Sequence, residues 1–483
     1  MRIKLGVPIE LPKLISSTAI EILLPIKWLS NRDTDRDVHK PSLVDFSQRE
    51  NATFTQAPLI THISCDSRLA RQGDLFISLS EDEALAAQYI SDARASGAFA
   101  ICNRRSISDE LTPLEKLANY YIGTLPYLKE IVAITGSNGK TTTKEFAKHL
   151  LSSEYKVHAT NGNMNNEIGL PLTVLSAPAD TEVLVLEMGM NQSGEISRLS
   201  RTVSPTIAAI TNIGTAHIGN LGSAGAIKEA KLEIVEGLNR DGVLITRADD
   251  NLNALKFIKA KHSTYSYNKQ EANACLMRLD SGKYCFRIDG RAYSFDFFTE
   301  LPHILENLAL ALSIGFYAKT DPRKLVHTAS LMNEELLRYK ITSIGDITLI
   351  DDAYNASMES IAAALDVLRR CECKIRSVLV GDILEAGAYS EEIHYKLGCM
   401  IAGVADRLYI VGEMADFIKR GALESRLSPS SIFIVENSYN ISDIARTVLG
   451  LVSGGECMLI KGSHRTGLHK FKEEFERLIN NAD

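Results

Sequence analysis

The sequence predicts an α/β fold in which helices cover mostly parallel sheets. From Ile131 onward, short apolar runs that end in polar or glycine residues alternate with helical stretches. Continuous apolar strands of this kind are typical of parallel sheets buried on both faces. A chain of 483 residues is also too long for a single hydrophobic core, which predicts several domains.

Composition restricts the class of protein. The chain is 45% hydrophobic and 23% charged, with a formal net charge of -7, which argues against a general nucleic-acid binder. Its eight cysteines include no CxxC pair, and we expect reduced thiols in a cytoplasmic monomer. The apolar run Ala19 to Leu29 is too short to insert into a membrane and predicts a buried helix or strand. Residues 31–55 are polar and predict a loop or connector.

Two breaks in the pattern predict three domains. We expect a smaller α/β N-terminal domain over residues 1–125, which includes an extension over residues 1–55. A central domain with a mostly parallel sheet is expected over residues 126–335. A Rossmann-like, doubly wound domain is expected over residues 336–483.

Polar residues follow the predicted strands at their carboxyl ends. Ligands of parallel α/β sheets bind at this edge, so we expect the chemistry of the protein there. The residues concerned are Thr135, Glu187, Asn212, Asp351, Asp352, Gly381, Asp382 and Lys461.

The segment "TGSNGKTT" lies between a predicted strand and a predicted helix, as a phosphate-binding loop does. Its glycines permit positive φ, so that the amides of Asn138 to Thr141 and the helix N-terminus can face phosphate oxygens. Lys140 would reach the β- and γ-phosphates of ATP, and the Thr141 hydroxyl would ligate Mg²⁺. The alternative is a plain strand-turn-helix corner with a surface lysine. The expected ATP-binding residues here are Gly136, Ser137, Asn138, Gly139, Lys140, Thr141 and Thr142.

A series of further motifs follows this loop in order along the chain. They are "NGNMNNEIGLPLTVL", "VLEMGMNQSGEI", "PTIAAITNIGTAHIGNLGS", "EAKLEI", "IDDAYNASMES", "GDILEAGAYSEEIH" and "KGS". Together with the loop they resemble the Mur ligase family, which builds the cytoplasmic peptide precursor of peptidoglycan. The "DDAYNA" and "GDILEAG" forms resemble the branch that joins D-alanyl-D-alanine to a UDP-N-acetylmuramoyl-tripeptide. The resemblance implies a P-loop-type central ATPase domain and an amide ligase that works through an acyl phosphate.

The resemblance also implies a metal site. Glu187 and His217 would hold Mg²⁺ near the γ-phosphate, although each residue alone is as readily a strand-end charge or a loop histidine. Lys231 aligns with a lysine that relatives convert with CO₂ to a carbamate, a further metal ligand. Without the resemblance, Lys231 would be read as part of a solvated helix face. The catalytic set expected is therefore Lys140, Glu187, His217 and Lys231.

Nucleotide contacts are implied at three more positions. Asn307 would meet adenine, Asp352 would accept hydrogen bonds from the ribose, and Arg338 would reach phosphate from the C-terminal side. The alternatives are an ordinary polar helix position for Asn307 and an exposed side chain for Arg338. Relatives carry a glycine before and an asparagine after the histidine that corresponds to His303. This chain has Pro302 and Ile304 at those two positions.

Substrate contacts are expected in three groups of residues. The amide cluster Asn163, Asn165 and Asn166 would bind a sugar or peptide, or simply cap a helix. Tyr354 and Asn355 would contact adenine or substrate, or form a turn. The acceptor site would lie near Lys461 and Ser463, shaped by Asp382, Glu385 and His394.

The N-terminal segment "CDSRLARQGDLFISL" resembles the part of the branch that binds the uridine nucleotide. Asp66, Ser67 and Arg68 are its candidate contacts. Relatives continue with a "DGH"-type motif, whereas this chain reads "SEDEALAAQYI". This departure leaves open a ligase recruited to a different carboxylate and amine. A non-catalytic homologue is a third possibility, and the retained catalytic set argues against it. For an active ligase we expect the central and C-terminal domains to close on each other.

Overall fold

The computed structural model describes residues 1–18, 22, 58–103, 111–250, 260–436 and 440–480. The predicted loop over residues 31–55 lies outside these residues. So does the predicted buried element at Ala19 to Leu29, apart from Ile22, which is buried.

The N-terminal part contains a sheet with the strand order β1-β2-β3-β4. Strand β1 runs antiparallel to β2, and the other neighbours are parallel. The elements are β1 (Arg2–Glu10), α1 (Leu11–Thr18), β2 (Leu59–Ser64), β3 (Leu75–Ser78), α2 (Glu83–Ala95), β4 (Phe99–Cys102) and α3 (Pro113–Ile122). The first residues of the expected N-terminal extension therefore form an edge strand of this sheet.

Buried polar contacts join this part to the central one. The Tyr121 hydroxyl accepts a hydrogen bond from Val7 N (3.0 Å) and donates one to Ala177 O (3.0 Å). Arg198 pairs at 2.8 Å with Glu115, whose side chain is fully buried. A buried carboxylate needs such a partner, so this pair constrains how α3 packs.

The central part contains a sheet with the order β13-β12-β11-β10-β9-β8-β5-β7-β6. It is parallel from β6 to β11, and β12 and β13 are antiparallel. Its strands are β5 (Glu130–Thr135), β6 (Val157–Ala159), β7 (Val183–Glu187), β8 (Ile207–Ile210), β9 (Val243–Arg247), β10 (Lys261–Tyr267), β11 (Ala274–Arg278), β12 (Tyr284–Ile288) and β13 (Arg291–Phe295). Its helices are α4 (Lys140–Leu151), α5 (Gly169–Leu175), α6 (Glu195–Val203), α7 (Ile218–Leu221), α8 (Ala224–Leu232), α9 (Pro302–Tyr317) and α10 (Pro322–Ser330).

Strand β5 is buried on both faces. Val132 and Ile134 belong to one apolar cluster, which includes Phe146 of α4. Ile131 and Ala133 belong to a second cluster on the other side of the sheet. This burial explains why the strand reads as a continuous apolar run.

The C-terminal part contains a sheet with the order β14-β15-β19-β16-β17-β18, in which β14 alone is antiparallel to its neighbour. Its elements are β14 (Lys340–Ile344), β15 (Ile347–Asp351), α11 (Met358–Arg370), β16 (Ile375–Val380), α12 (Ser390–Ala402), β17 (Arg407–Val411), α13 (Ala415–Glu424), β18 (Ile432–Glu436), α14 (Ile441–Leu451), β19 (Glu456–Lys461) and α15 (Phe471–Asn480).

The predicted α/β class with mostly parallel sheets is confirmed. The bounds of the three domains stay a prediction. Across the described residues, we find no helix with the length and apolar character needed to cross a bilayer.

Candidate active site

A cavity of about 940 Å³ lies between the central and C-terminal parts. It opens at the carboxyl ends of β5 and β7 and extends to β15 and β19. The cavity gathers most of the predicted site residues, namely Ser137, Asn138, Gly139, Lys140, Thr141, Thr142, Asn163, Asn165, Asn166, Glu187, His217, Asn307, Arg338, Asp352, Tyr354, Asn355 and Lys461.

The loop between β5 and α4 requires glycine at two positions. Gly136 has φ +146°, and a Cβ there would lie 1.8 Å from Thr211 Oγ1. Gly139 has φ +78°, and a Cβ there would lie 2.3 Å from Asn307 Oδ1. Both residues therefore allow a close approach that no other residue type permits.

Asn212, two residues after the end of β8, holds this loop in place. The Asn212 carbonyl accepts from Ser137 N (3.0 Å), and its side-chain Oδ1 accepts from Asn138 N (3.0 Å). We expected the Asn138 amide to face phosphate, and instead it is engaged here. The amides of Gly139, Lys140 and Thr141 open α4, where the first N–H groups of a helix have no intrahelical acceptor. These amides and the positive end of the helix dipole suit an anion.

Lys140 folds back over the loop. Its Nζ donates to Gly136 O (2.7 Å) and to Ser137 O (3.3 Å). Burial lowers the pKa of Lys140, and Glu187 opposes this shift. The side chain lines the cavity at the loop, as expected of a phosphate-binding lysine and unlike a surface lysine at a plain turn.

Thr141 and Glu187 meet beside the loop. The Thr141 hydroxyl donates to Glu187 Oε2 (3.0 Å), and Asn165 Nδ2 donates to Glu187 Oε1 (2.8 Å). No group of three or more His, Cys, Asp or Glu side chains arranged for a metal occurs in the described part of the chain. Mg²⁺ is usually held by one or two carboxylates together with substrate phosphates and water. A hydroxyl and one carboxylate next to a phosphate loop fit that mode of binding.

His217 lies across the cavity and contacts the C-terminal part. Its Nδ1 is 2.6 Å from Glu385 Oε2, and this contact lowers the pKa of Glu385. His217 has φ +66°, in the left-handed region that is uncommon for a residue with a Cβ. The side chain of His217 therefore faces Glu385 of the C-terminal part, rather than the backbone of its own loop.

Lys231 is buried on α8, contrary to the solvated helix face that its neighbours suggest. Its side chain is 1% exposed. Desolvation, assisted by the charge of Lys140, lowers the pKa of Lys231 to about 6. The side chain is therefore mostly an unprotonated amine at neutral pH. Lys231 is not among the residues that line the cavity.

Asn307 lies against the phosphate loop, with Oδ1 accepting from Thr143 Oγ1 (3.3 Å). It is buried and faces the cavity, so it is more than a polar position on an apolar helix. His303, one turn earlier, also lines the cavity, and burial lowers its pKa to about 4. A neutral imidazole therefore stands on this wall at neutral pH.

The C-terminal wall carries two paired cations. Lys461 Nζ, almost fully buried, lies 2.7 Å from Asp352 Oδ2. The exposed Arg338 guanidinium stacks 3.8 Å from the centroid of the Tyr354 ring. The four side chains lie in one region of the cavity, next to Asn355.

The three asparagines Asn163, Asn165 and Asn166 make different contacts. Asn165 binds Glu187, as described above, and Asn163 lines the cavity. Asn166 Oδ1 accepts from Gly169 N (2.8 Å), the first residue of α5, while Asn166 also lines the cavity, so its part in binding stays a prediction.

The remaining predicted residues lie elsewhere. Asp66 caps a short turn and pairs with Arg68 at 2.8 Å, and this contact lowers the pKa of Asp66 to about 2. Asp66, Ser67 and Arg68 do not line the cavity. Ser463 accepts from Leu384 N (3.0 Å) and does not line the cavity. Asp382 and His394 are buried and bind backbone groups: Asp382 accepts from the N–H groups of Glu413 and Met414 after β17, and His394 accepts from Ile383 N.

The departure "SEDEALAAQYI" has a local structural role. Asp82 accepts from Leu85 N (2.9 Å) and caps helix α2, which begins at the next residue. The segment therefore begins a helix at a standard N-cap, where relatives place their glycine and histidine.

Sequence reasoning missed several residues of the cavity. Ser357 and Glu359, at the start of α11, contact the central part. Ser357 donates to Asn138, and Glu359 accepts from Thr215. Arg247 and Glu306 form a pair (3.3 Å) at the end of β9, and burial raises the pKa of Glu306 to about 6. The capping pattern "SMES" was the available signal for Ser357, but it predicts only the start of a helix.

Comparisons with known proteins agree with this geometry. Models of the Mur ligase middle domain and of the Mur ligase glutamate ligase domain match residues 134–315 and 338–464. The chain is 34% identical to the UDP-N-acetylmuramoyl-tripeptide–D-alanyl-D-alanine ligase of Bacillus subtilis (strain 168), over 86% of this chain and 93% of that relative. It is 31% identical to the ligase of the same name from Escherichia coli (strain K12), over 74% of this chain and 82% of that relative.

Solved structures agree in fold. The crystal structure of MurF from Acinetobacter baumannii has a TM-score of 0.77 at 23% identity and covers 98% of this chain and 100% of its own. MurF from Thermotoga maritima in complex with ADP has a TM-score of 0.70 at 26% identity and covers 87% of this chain and 98% of its own.

Proposed function

The chain belongs to the Mur ligase family, and from that premise we propose that it joins D-alanyl-D-alanine to a UDP-N-acetylmuramoyl-tripeptide at the expense of ATP. One observation carries the proposal most directly. The loop at Gly136 to Thr142, with Lys140 over it and Glu187 beside it, opens into a cavity shared with the C-terminal part.

The first step transfers the γ-phosphoryl group of ATP to the terminal carboxylate of the tripeptide. The O–P bond to ADP breaks, a new carboxylate O–P bond forms, and the product is an acyl phosphate. Both reactants are anions, so the residues around the loop must offset their repulsion. Lys140 would exchange its two carbonyl acceptors for phosphate oxygens, and the amides of Gly139 to Thr141 would hold the same group.

We propose that Thr141 and Glu187 hold Mg²⁺, with His217 as a further candidate ligand. Bound Mg²⁺ would neutralise phosphate charge during the transfer. Asn165 supports the proposal because its amide fixes the Glu187 carboxylate in orientation. Glu385 lies 2.6 Å from Nδ1 of His217 and would orient that ring.

We also propose that Lys231 carries a carbamate. Formation of a carbamate needs a neutral amine as the nucleophile, and burial supplies one on α8. The amine nitrogen bonds to the carbon of CO₂ and releases a proton, which converts the neutral amine into an oxygen-donor anion. Such an anion suits a hard cation.

In the second step the amino group of D-alanyl-D-alanine attacks the acyl carbon. The C–N bond forms, inorganic phosphate leaves, and the amine loses a proton. The C-terminal wall, with Lys461, Asp352, Arg338 and Tyr354, is our proposed region for the nucleotide and the incoming dipeptide. Asp66, Ser67 and Arg68 remain proposed contacts of the uridine nucleotide in the N-terminal part.

The test is phosphate release from ATP with a panel of UDP-muramoyl peptides and dipeptides. We expect release to require both the tripeptide donor and D-alanyl-D-alanine. Release with other carboxylates and amines alone would identify a recruited ligase, and no release with any pair would identify a non-catalytic homologue. We propose a cytoplasmic monomer, and sedimentation equilibrium measures its mass in solution.

A further inference from the structure

The start of helix α11, in the C-terminal part, contacts two loops of the central part at the proposed ATP site. We propose that Ser357 and Glu359 are positioning residues that hold the phosphate loop and the His217 loop in their working arrangement. This inference rests on the proposed function, in which those two loops carry Lys140 and His217.

Ser357 connects α11 to the phosphate loop. Its hydroxyl donates to Asn138 Oδ1 at 2.9 Å, while the same oxygen accepts from Ser360 N at 3.2 Å as a helix cap. A cap needs only the acceptor. The donated bond is additional, and it ends on a residue whose backbone N–H and C=O are both bonded to Asn212.

Glu359 connects α11 to the His217 loop. Its Oε1 accepts from Thr215 N (2.8 Å) and from Thr215 Oγ1 (2.9 Å). The contact is close, because a Cβ on the neighbouring Gly214 would lie 2.9 Å from the same oxygen. Gly214 N in turn donates to Ser137 Oγ (2.8 Å), so the two loops are also bonded to each other.

These contacts form one network across the two parts of the chain. The phosphate loop is bonded to Asn212 and, through Ser137, to Gly214 of the His217 loop. Residues at the start of α11 are bonded to both loops. The loops are short and carry glycines, so their geometry depends on such outside contacts. When the C-terminal part is docked, the network fixes Lys140 and His217; when it is undocked, both loops lose a partner. Docking would therefore complete the ATP site as well as cover it.

The first experiment measures amide hydrogen exchange of the full chain without ATP. We expect Glu359→Ala to speed exchange about tenfold or more in peptides that cover residues 211–222, since it removes a charge-assisted bond to Thr215 N. Ser357→Ala should act in the same way on residues 135–146. Glu359→Gln keeps the acceptor and Ser357→Thr keeps the hydroxyl, so both should exchange like the wild type.

A matched control is Asp443→Ala, which removes an acidic side chain from the first turn of α14. Asp443 pairs with Arg446 on its own helix, so exchange in both loops should stay unchanged. Wild-type exchange rates in Glu359→Ala and Ser357→Ala would overturn the proposal. A uniform rise over the whole chain would also overturn it, because that result means general destabilisation.

The second experiment separates kcat from KM. Glu359→Ala should lower kcat for phosphate release roughly tenfold or more and raise the KM for ATP, while Glu359→Gln restores both values. Unchanged kinetics in Glu359→Ala would overturn the positioning role. A wild-type enzyme without phosphate release, but with the expected exchange pattern, would instead contradict the proposed function alone.

Discussion

Lys231 gives the most quantitative prediction, because its burial fixes its protonation state. With a pKa lowered to about 6, roughly nine in ten Lys231 side chains are neutral amines at pH 7, against about one in three thousand for an unperturbed lysine. At constant CO₂ pressure this amine should form a carbamate far more readily than an unperturbed lysine does.

The assay is ¹³C NMR of the protein under labelled CO₂, recorded from pH 5 to pH 9. We expect a carbamate signal that appears as the pH rises through about 6 and is absent in Lys231→Met. Lys144 is an equally buried control, but its Nζ donates to Thr160 O (2.7 Å) and pairs with Glu145. Lys144→Met should therefore keep the signal. A signal that survives in Lys231→Met, or that appears only near pH 10, would refute the reasoning.

The same shift sets the sign of a pH effect on stability. The folded-state pKa of Lys231 is lowered from 10.5 to about 6, so the unfolded chain binds more protons at this group between those pH values. The free energy of unfolding therefore rises with pH in that window, by about 1.4 kcal/mol per pH unit. Without CO₂, Lys231→Met should remove that slope between pH 7 and pH 9, and parallel curves for both proteins would contradict the assignment.

Three further substitutions test the site and the fold. Gly139→Ala places a Cβ 2.3 Å from Asn307 Oδ1 at φ +78°, so we expect the KM for ATP to rise at least roughly tenfold in steady-state kinetics; an unchanged KM would contradict the close approach. Arg198→Met leaves the fully buried Glu115 without its cation and should lower the free energy of unfolding by roughly 3–5 kcal/mol in urea titrations; a loss below about 1 kcal/mol would mean that Glu115 is not held as described. Tyr121→Phe strands Val7 N and Ala177 O, and we expect a loss of about 1–3 kcal/mol in the same titrations, with an unchanged value as the contrary result.

The sequence was sufficient to predict the elements that form the core of each parallel sheet. Strands such as β5 and β19 are buried on both faces and therefore read as unbroken apolar runs. The strands from β10 to β13 were missed, since three of them are only five residues long and their burial patterns are neither all buried nor strictly alternating. Runs so short and mixed do not stand out from loops.

The residues of the site likewise differ in whether the sequence could predict them. The phosphate loop could be predicted because its glycines, lysine and helix start lie within eight residues of one another in sequence. Ser357 and Glu359 could not, because their partners lie 219 and 144 residues away. The burial of Lys231 was equally hidden, since its charged neighbours on α8 suggested solvent. The resemblance to the family, and not the residue pattern, pointed to this lysine.

The acyl phosphate is the central claim, and oxygen transfer tests it most directly. The tripeptide donor is labelled with ¹⁸O in its terminal carboxylate and incubated with the enzyme, ATP and D-alanyl-D-alanine. We predict that each inorganic phosphate released carries one ¹⁸O atom from that carboxylate, with one amide formed per phosphate. Unlabelled phosphate would contradict the account, because the oxygen would then have come from water and not from the substrate.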